Sequence, residues 1–333
     1  MTRMFLQGFN ILDKLAKPLT IFMDGLDARP EQVSNEDYIK VLNGLVNATI
    51  KLNETSAIKR NFRIILLIRP DIIYRVSTHN LNQRMQNNAV TLNWTTTYKD
   101  YRRSKLFELA DNYFAKQQVN PNLEKGYCWD RYFSYTNLGN QNSSENPFID
   151  VLKLSLYRPR DIITILNLLK ESVNEDRETF TKRDIASIYK DYSVYLKSEL
   201  RDYLSVYMAN ETAEEVFRFI ENFKHVSFNY KYFKKMFEKY RTQYLEHNTD
   251  FPIEINSANK LIQVLYAAGV LCYCTGDKNH WAYKERNLSN VQPKVIIDND
   301  RQYRWHRAYA KAFGIPYTVN KNKTDQSQPK EFL

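Results

Sequence analysis

The sequence has little of several features that define whole classes of protein. Only 8 glycines and 10 prolines occur in 333 residues, which excludes a collagen-like or linker-rich chain. Three cysteines, Cys128, Cys272 and Cys274, are too few for a disulfide scaffold and suit a reducing compartment. The longest apolar runs, such as residues 64–68, are far too short to span a bilayer. A secretory signal pattern is also missing, so we expect a cytoplasmic protein with no membrane partner.

The composition is that of a folded protein with a moderate positive charge. Hydrophobic residues make up 43% of the chain and aromatic residues 14%, which excludes disorder of the whole chain. The 48 Lys and Arg residues outnumber the 38 Asp and Glu residues, so the net charge is +10. This excess permits a nucleic acid or another anionic partner without identifying one.

The first third of the chain begins with a predicted helix that Pro18 ends, and then alternates between short apolar runs and amphipathic helices. Residues 19–23 and 62–68 are apolar runs closed by turn residues, and each predicts a buried parallel strand. Residues 89–94 predict a third strand. Ser34 begins a predicted helix between the first two strands, and another helix is predicted at about 97–117. This order is typical of an α/β fold with a parallel sheet.

The rest of the chain is predicted to be mainly helical, after a long irregular loop with a short helix at 120–146. The segment 158–161 opens an amphipathic helix, and 181–184 has the pattern of a capping box for a helix that runs to about Met208. The last third follows the order of a winged-helix domain, which is helix, short strand, two helices and a β-hairpin. These elements are predicted at about 213–223, 225–228, 229–244, 257–268, 270–274 and 280–283. Asn229 is the predicted cap of the helix at 229–244, and Gly269 is the predicted stop after the helix at 257–268.

Three charged residues follow the first two predicted strands. Asp24 and Asp27 come after the first strand, and Arg69 comes after the second. Ligands of parallel sheets bind at the carboxyl ends of the strands, so these side chains form a candidate nucleotide site. Asp24 would hold Mg²⁺ through water, Asp27 would orient the attacking water, and Arg69 would contact a γ-phosphate. The alternative is that Asp24 only closes a turn and that Arg69 is an ordinary surface residue.

The residues around these positions resemble a known group of ATPases. The run "LTIFMDGLD" at 19–27 looks like the Walker B strand of bacterial P-loop ATPases of the STAND/NACHT-like (KAP-like) group. The run "RIILLIRPD" at 63–71 is similar to their sensor-one strand. The run "RPRDIITIL" at 158–166 and the predicted hairpin at 270–283 resemble the helical lid and winged helix of these proteins. The resemblance extends over about residues 1–310.

The resemblance implies a function and a set of residue roles. Such ATPases use ATP and Mg²⁺ to switch between closed and open states, often to control an effector, and some act in bacterial defence or signalling. Asp24 and Asp27 would then be catalytic, and Arg69 would sense the nucleotide. Arg158 and Arg160 would add a phosphate contact from the lid. The alternative for these two arginines is helix-start chemistry.

One part of such a site is missing from the sequence. No Gly-x-x-x-x-Gly-Lys-Ser/Thr loop occurs, although the amides and the lysine of this loop hold the β- and γ-phosphates of ATP. Ala28 also stands where the similar proteins often carry a second acidic residue. We therefore expect the loop to come from a preceding N-terminal segment or a partner subunit. The 333 residues alone are expected to be inactive, and poorly soluble, oligomeric or loosely folded. The complete ATPase is expected to be a homo-oligomer.

These predictions divide the chain into four parts. A partial P-loop ATPase core occupies 1–118, a loop and a helical lid 119–208, a winged-helix domain 209–318 and a disordered tail 319–333. The predicted fold class is therefore α/β, a partial P-loop parallel sheet followed by an α-helical lid and a winged helix.

A second hypothesis is a winged-helix DNA-binding regulator with a degenerate ATPase scaffold. Its DNA contacts would be four cations on the predicted helix 229–244, namely Lys231, Lys234, Lys235 and Arg241. The alternative is that this helix only packs inside the switch. Cys272 and Cys274 share one face of a predicted strand and could begin a zinc site. No second pair of ligands at zinc spacing follows them, and core packing is the simpler interpretation.

Overall fold

The computed structural model describes residues 18–30, 32–54, 62–76, 81–120, 123–133, 146–174, 177–285 and 293–316. Within these ranges the fold is mixed α/β and mostly helical, with a small parallel sheet and a small antiparallel sheet. The chain divides into two compact units. The first comprises 1–92, 205–209 and 290–292, and the second comprises 93–204, 210–289 and 293–333. The helix predicted within 1–17 and the tail predicted at 319–333 lie outside the described residues, as does part of the loop at 120–146.

The first unit contains two parallel strands joined by a helix, as the sequence predicts. Strand β1 (Leu19–Met23) pairs in parallel with β2 (Phe62–Leu66), with the first residues of the two strands opposite each other. Helix α1 (Asn35–Glu54) lies between them in the chain, and a connection of this length is what two parallel strands require. The hydroxyl of Ser34 accepts a hydrogen bond from the backbone N–H of Asp37 (3.1 Å), which fixes the start of α1.

The core of the first unit lies along one face of α1. Tyr38, Leu42 and Val46, spaced four residues apart, are buried there. They belong to one apolar cluster with helix α2 (Pro70–Ile73), which follows β2 directly, and with Val206 from much later in the chain. Helix α3 (Leu81–Asn88) comes next in the chain. The buried face of α1 thus packs against α2, close to the carboxyl ends of β1 and β2.

The third predicted strand is wrong. Residues 89–97 form neither a strand nor a helix, and the side chains of Val90 and Leu92 are 88% and 69% exposed. An alternating apolar pattern becomes a strand only where a neighbouring strand supplies hydrogen-bond partners. None pairs with this segment in the described part of the chain.

The helix predicted at about 97–117 is shorter in the structure. A 3₁₀ turn occupies Tyr101–Arg103, and helix α4 (Lys105–Ala115) begins after it. The reason is Ser104, whose hydroxyl accepts a hydrogen bond from the backbone N–H of Phe107 (3.1 Å) and caps α4.

The second unit begins with a group of helices around an aromatic core. They are α4, α5 (Tyr127–Tyr132), α6 (Pro147–Leu154), α7 (Pro159–Ser172), α8 (Lys182–Ser187) and α9 (Tyr189–Ser205). Phe107, Trp129 and Phe148 are almost completely buried and contact one another edge to face or tilted. Trp129 also stacks on Phe133, with 4.1 Å between the ring centroids. Such aromatic pairs contribute beyond their area of burial.

The capping box predicted at residues 181–184 is confirmed, but the long helix predicted after it is not. Thr181 and Asp184 form both hydrogen bonds of the box. The helix that they start, α8, ends at Ser187, and α9 begins at Tyr189. The break is at Ile188, where ψ is −5° instead of about −42° and the side chain is buried.

The end of the second unit packs helices against a four-stranded antiparallel sheet. Its helices are α10 (Asn210–Glu221), α11 (Tyr230–Leu245), α12 (Ala258–Ala267), α13 (Ala282–Glu285) and α14 (Arg307–Ala312). Its strands are β3 (Ser227–Asn229), β4 (Leu271–Thr275), β5 (Lys278–His280) and β6 (Gln302–Trp305), in the order β3-β6-β4-β5. Asn229 caps α11 as predicted, and Gly269 (φ +77°) follows α12 as predicted.

Two features of this sheet differ from the prediction. The strand predicted at 280–283 lies earlier, at β5, because Gly276 (φ +56°) allows a two-residue turn that places Thr275 opposite Lys278. Strand β6 is missing from the prediction altogether. It is only four residues long, and its partners β3 and β4 lie far away in the sequence.

Candidate functional site

The candidate site of the first unit lies where β1 and β2 end. Asp24 follows β1 directly, is exposed, and accepts a hydrogen bond from the backbone N–H of Gly25 through Oδ1 (2.8 Å). Gly25 has φ +70°, a conformation that favours glycine, and its carbonyl accepts a hydrogen bond from the N–H of Ala28 (3.1 Å). This turn reverses the chain after β1 and brings Asp27 back toward the sheet edge.

Arg69 joins the ends of the two strands. Its Nη1 lies 3.4 Å from Oδ2 of Asp27, so the structure brings together these two predicted site residues. Its Nε and Nη2 bind Asp71 at 3.2 Å and 2.7 Å. The carboxylate of Asp71, only 1% exposed, also accepts a hydrogen bond from the hydroxyl of Tyr207. Asp71 therefore binds two nitrogens of the Arg69 guanidinium group, whereas Asp27 makes only a longer contact with the third.

Two further side chains fix the loop that carries Asp27. The hydroxyl of Tyr38 donates a hydrogen bond to the carbonyl of Leu26. Burial, followed by the charge of Asp27, raises the pKa of Tyr38, so this residue remains a neutral donor. Arg29 donates to the carbonyls of Val33 (2.7 Å) and Ser205 (3.1 Å). The loop is thus tied to α1 and to the later part of the first unit.

The residues that the sequence missed here are Asp71 and Tyr207. Asp71 had a local signal, because an acid two residues after an arginine, at the start of a helix, can reach back to the guanidinium group. Tyr207 had none, since it lies 136 residues away from Asp71 in the chain. Arg75 rests over the ring of Tyr207, with 4.8 Å from its guanidinium carbon to the centroid, and so helps to position the tyrosine.

Arg158 and Arg160 lie in the second unit and take part in an ion-pair network. Arg158 binds Asp161 (Nη2–Oδ1 2.6 Å) and Glu199 (Nη1–Oε2 3.1 Å), and Arg160 binds Glu199 (Nη1–Oε1 3.1 Å). Asp161 is fully buried and also accepts a hydrogen bond from the backbone N–H of Leu156 (2.7 Å). These contacts connect the start of α7 to α9, in keeping with the helix-start alternative, and their nucleotide-sensing role stays a prediction.

The four predicted DNA-contacting cations lie on the solvent-exposed side of α11. Lys231, Lys234, Lys235 and Arg241 are all exposed, as is Lys239 on the same helix. Phe233 and Phe237, on the opposite side of the helix, are fully buried, and Phe233 contacts Phe219 of α10. Helix α11 thus has a buried apolar side and an exposed basic side.

The described residues contain neither a metal-ligand cluster nor a membrane-spanning helix. In the ranges given above, no three or more His, Cys, Asp or Glu side chains come close enough together to hold a metal ion. Among the described helices, none is both long and apolar enough to cross a membrane.

Comparison with known proteins finds a match to one family model, over part of the chain, and to one curated relative. Residues 104–201 match the FunZ-associated C-terminal helical domain, a range that begins at the cap of α4 and ends within α9. The chain is 24% identical over 303 residues to the "putative transposon gamma-delta 80.3 kDa protein" of Escherichia coli (strain K12). The alignment covers 88% of this chain and 40% of that relative, so the chain spans two-fifths of the relative's length. No solved structure matches the chain.

Proposed function

We propose that this chain supplies one side of the nucleotide site of an ATP-dependent switch ATPase. The observation that carries the proposal is the pairing of Arg69 with Asp27 beside Asp24, at the shared carboxyl edge of two parallel strands. In such an edge, Asp24 would hold Mg²⁺ through water and Asp27 would position the attacking water. ATP and Mg²⁺ would bind only when a phosphate-binding loop from another segment or a partner subunit completes the site.

Arg69 is arranged as a sensor of the γ-phosphate. Asp71 holds the Nε and Nη2 side of the guanidinium group, while Nη1 faces the partly exposed Asp27 at 3.4 Å. A phosphate oxygen at Nη1 would form a shorter, charge-assisted hydrogen bond and would replace Asp27 there. Release of Asp27 from Arg69 would then leave this carboxylate free to orient water only when nucleotide is bound.

The exposed apolar side chains of β1 support the interpretation that the described two-stranded sheet is incomplete. Strands of parallel sheets are normally covered on both faces, and two strands alone are not stable in water. In β1, however, Leu19, Ile21 and Phe22 are exposed, with Phe22 at 63%, and Leu67 beyond β2 is exposed as well. The order of α10, β3, α11, α12 and the β4–β5 hairpin also supports the winged helix expected of such a switch.

The test is ATP hydrolysis by the native assembly. The chain would be tagged in its host and purified with the segments or subunits bound to it, and Mg²⁺-dependent hydrolysis would be measured. Asp24→Asn should lower the rate about 10- to 100-fold, as is found for groups that act on a metal through its outer shell. Asp250→Asn, at an exposed acid of the second unit, serves as the matched control and should change nothing. Equal rates for both variants, or no nucleotide binding, would contradict the proposal.

A second candidate function is binding to duplex DNA through α11. The specific observation is that all of its basic side chains lie on the solvent-exposed side, away from Phe233 and Phe237. In a helix-turn-helix arrangement the second helix enters the major groove and the first crosses the backbone. Here the second helix, α12, carries one cation, Lys260, so α11 would contact phosphates rather than bases. The relative is named as a transposon protein, which makes DNA the first polymer to test.

The DNA test is a salt titration of binding to a labelled duplex. Each phosphate contact contributes about −0.9 to the slope of log affinity against log salt. Lys234→Ala/Lys235→Ala should therefore reduce the slope by about 2, uniformly across sequences. Lys170→Ala/Lys190→Ala, at exposed lysines of α7 and α9, is the matched control. Absence of binding at low salt, or identical slopes for both pairs, would exclude this function.

A further inference from the structure

Strand β4 carries two thiols that neither function above uses. Cys272 and Cys274 are two residues apart, so both point to the same face of the antiparallel sheet. Cys272 is completely buried, whereas Cys274 is partly exposed. Solvent therefore has access to one thiol, and the other lies behind it on the same strand.

Both neighbouring strands present polar groups to these thiols. Cys272 lies opposite Arg304 of β6, and Cys274 lies opposite Asn279 of β5. The Sγ of Cys274 is 3.2 Å from Oδ1 of Asn279. Rotation of the Asn279 amide by half a turn would present an N–H donor to a thiolate at this position. Cations and donors of this kind are what stabilise a reactive thiolate.

The two thiols differ in acidity. The hydrogen bond from Cys272 and the charge of Arg304 lower the pKa of Cys274, in opposition to its partial burial. Burial raises the pKa of Cys272 well above the usual value, so this sulfur stays protonated. Cys274 is therefore the more acidic of two thiols that lie on one strand.

We propose that Cys274 and Cys272 form a redox modification site, in which a hydroperoxide oxidises Cys274 and Cys272 then closes a disulfide with it. The site is distinct from the candidate nucleotide site, and the inference does not rest on the proposed function. Within the described residues the pair has no third ligand of the kind that a metal site needs, which favours dithiol chemistry over metal binding.

The reaction has two steps. The Cys274 thiolate attacks the terminal oxygen of the hydroperoxide, so that an S–O bond forms, the O–O bond breaks and an alkoxide or hydroxide leaves and takes a proton from water. The thiol of Cys272 then attacks the sulfenic sulfur. The S–S bond forms, the S–O bond breaks, and the thiol proton leaves with the hydroxide as water. The two sulfurs lose two electrons, and the hydroperoxide gains them.

The geometry predicts that this disulfide is easily reduced. Residues two apart on a strand are separated by about 6.6 Å, close to the upper limit of about 6.8 Å for Cα atoms joined by a disulfide. Closing the bond must therefore shorten β4 locally and strain its pairing with β5. Strained disulfides have more oxidising potentials, which makes this modification reversible by cellular thiols.

The experiment is peroxide oxidation of the whole chain, followed by peptide mass spectrometry with a sulfenic-acid trap such as dimedone. In the native sequence, the free thiols of Cys272 and Cys274 should disappear together as one disulfide forms. The buried Cys128 should stay reduced and serves as an internal control. Cys272→Ser should raise the trapped sulfenic acid on Cys274 several-fold, because the second step is removed. Arg304→Gln, which keeps both thiols, should slow the oxidation of Cys274 several-fold near pH 7.

Three results would overturn the proposal. They are oxidation of Cys274 no faster than that of Cys128, no increase in trapping in Cys272→Ser, and an unchanged rate in Arg304→Gln. Far-ultraviolet circular dichroism of each variant identifies any that fail to fold. Because Arg304→Gln retains the complete strand β4, it tests the proposal even if a cysteine variant is unstable.

Discussion

The guanidinium group of Arg69 is bound side-on by the carboxylate of Asp71, two residues further along the chain, with Nε–Oδ1 at 3.2 Å and Nη2–Oδ2 at 2.7 Å. Asp71 is almost fully buried, and Tyr207 donates a hydrogen bond to the same carboxylate. Loss of either partner would leave part of this buried charge uncompensated. The position of Arg69 at the sheet edge therefore depends on Tyr207, which follows the end of α9 by two residues.

Removal of the Asp71 carboxylate should destabilise the first unit. Asp71→Ala leaves Arg69 and Tyr207 without their shared partner, and should lower the free energy of unfolding by about 3 kcal/mol. Tyr207→Phe removes one hydrogen bond to a charged group and should cost about 1.5 kcal/mol. Urea denaturation measures both changes. Asp24→Asn, at an exposed position, is the control and should stay within about 0.5 kcal/mol. A loss in Asp71→Ala no larger than in this control would contradict the anchoring role.

In the ion-pair network at α7, Asp161 should be essential for stability and Arg160 should be dispensable. Asp161 is fully buried and binds both Arg158 and the N–H of Leu156, so Asp161→Ala should cost about 3 to 5 kcal/mol. Arg160 is largely exposed, so Arg160→Ala should cost less than about 1 kcal/mol. Thermal unfolding monitored by circular dichroism measures both. A loss of nucleotide response in Arg160→Ala at unchanged stability would instead support its predicted sensing role.

His306 should make the second unit sensitive to acid. Burial, together with the charge of Arg158, lowers the pKa of His306 to about 4 from an ordinary value of 6.5, although a hydrogen bond with the backbone of Ser155 acts in the opposite direction. Below pH 6.5 the unfolded chain therefore binds a proton at this residue that the folded chain does not bind. Stability should fall by about 2 kcal/mol between pH 7.5 and pH 5, and this contribution should level off below pH 4.

The control for this prediction is His306→Gln, which removes the titration. Urea unfolding at several pH values should show a shallower loss of stability in this variant than in the native sequence, whatever its stability at pH 7.5. Parallel curves for the two proteins would show that other groups cause the acid sensitivity.

The exposed side chains of β1 should promote self-association. Phe22 is 63% exposed on a strand whose neighbours Leu19 and Ile21 are also exposed. Phe22→Thr keeps a residue that favours strands and removes apolar surface, so it should lower the fraction of oligomer in light scattering with little change in stability. Val194→Thr, at an exposed valine of α9, is the matched control. A monomeric native chain would contradict this prediction and the expectation of poor solubility.

Elements with local signals could be predicted from the amino-acid sequence. The apolar runs at β1 and β2, the cap residues Ser34 and Asn229 and the stop at Gly269 act within a few residues, and each lies where it was predicted. The turn at Asp24–Asp27 and the placement of Arg69 follow from the same local logic, because parallel strands end at one edge.

Features that depend on distant partners could not be predicted, because they form only in the folded chain. Residues 89–94 have the alternation of a strand but lack a partner in the described structure, whereas β6 has almost no local signal and forms because β3 and β4 both pair with it. Tyr207 reaches Asp71 across 136 residues, and Glu199 joins Arg158 to Arg160 across about 40. Backbone pairing and buried ion pairs gain their stability from both partners at once, so neither partner's local sequence is enough to predict them.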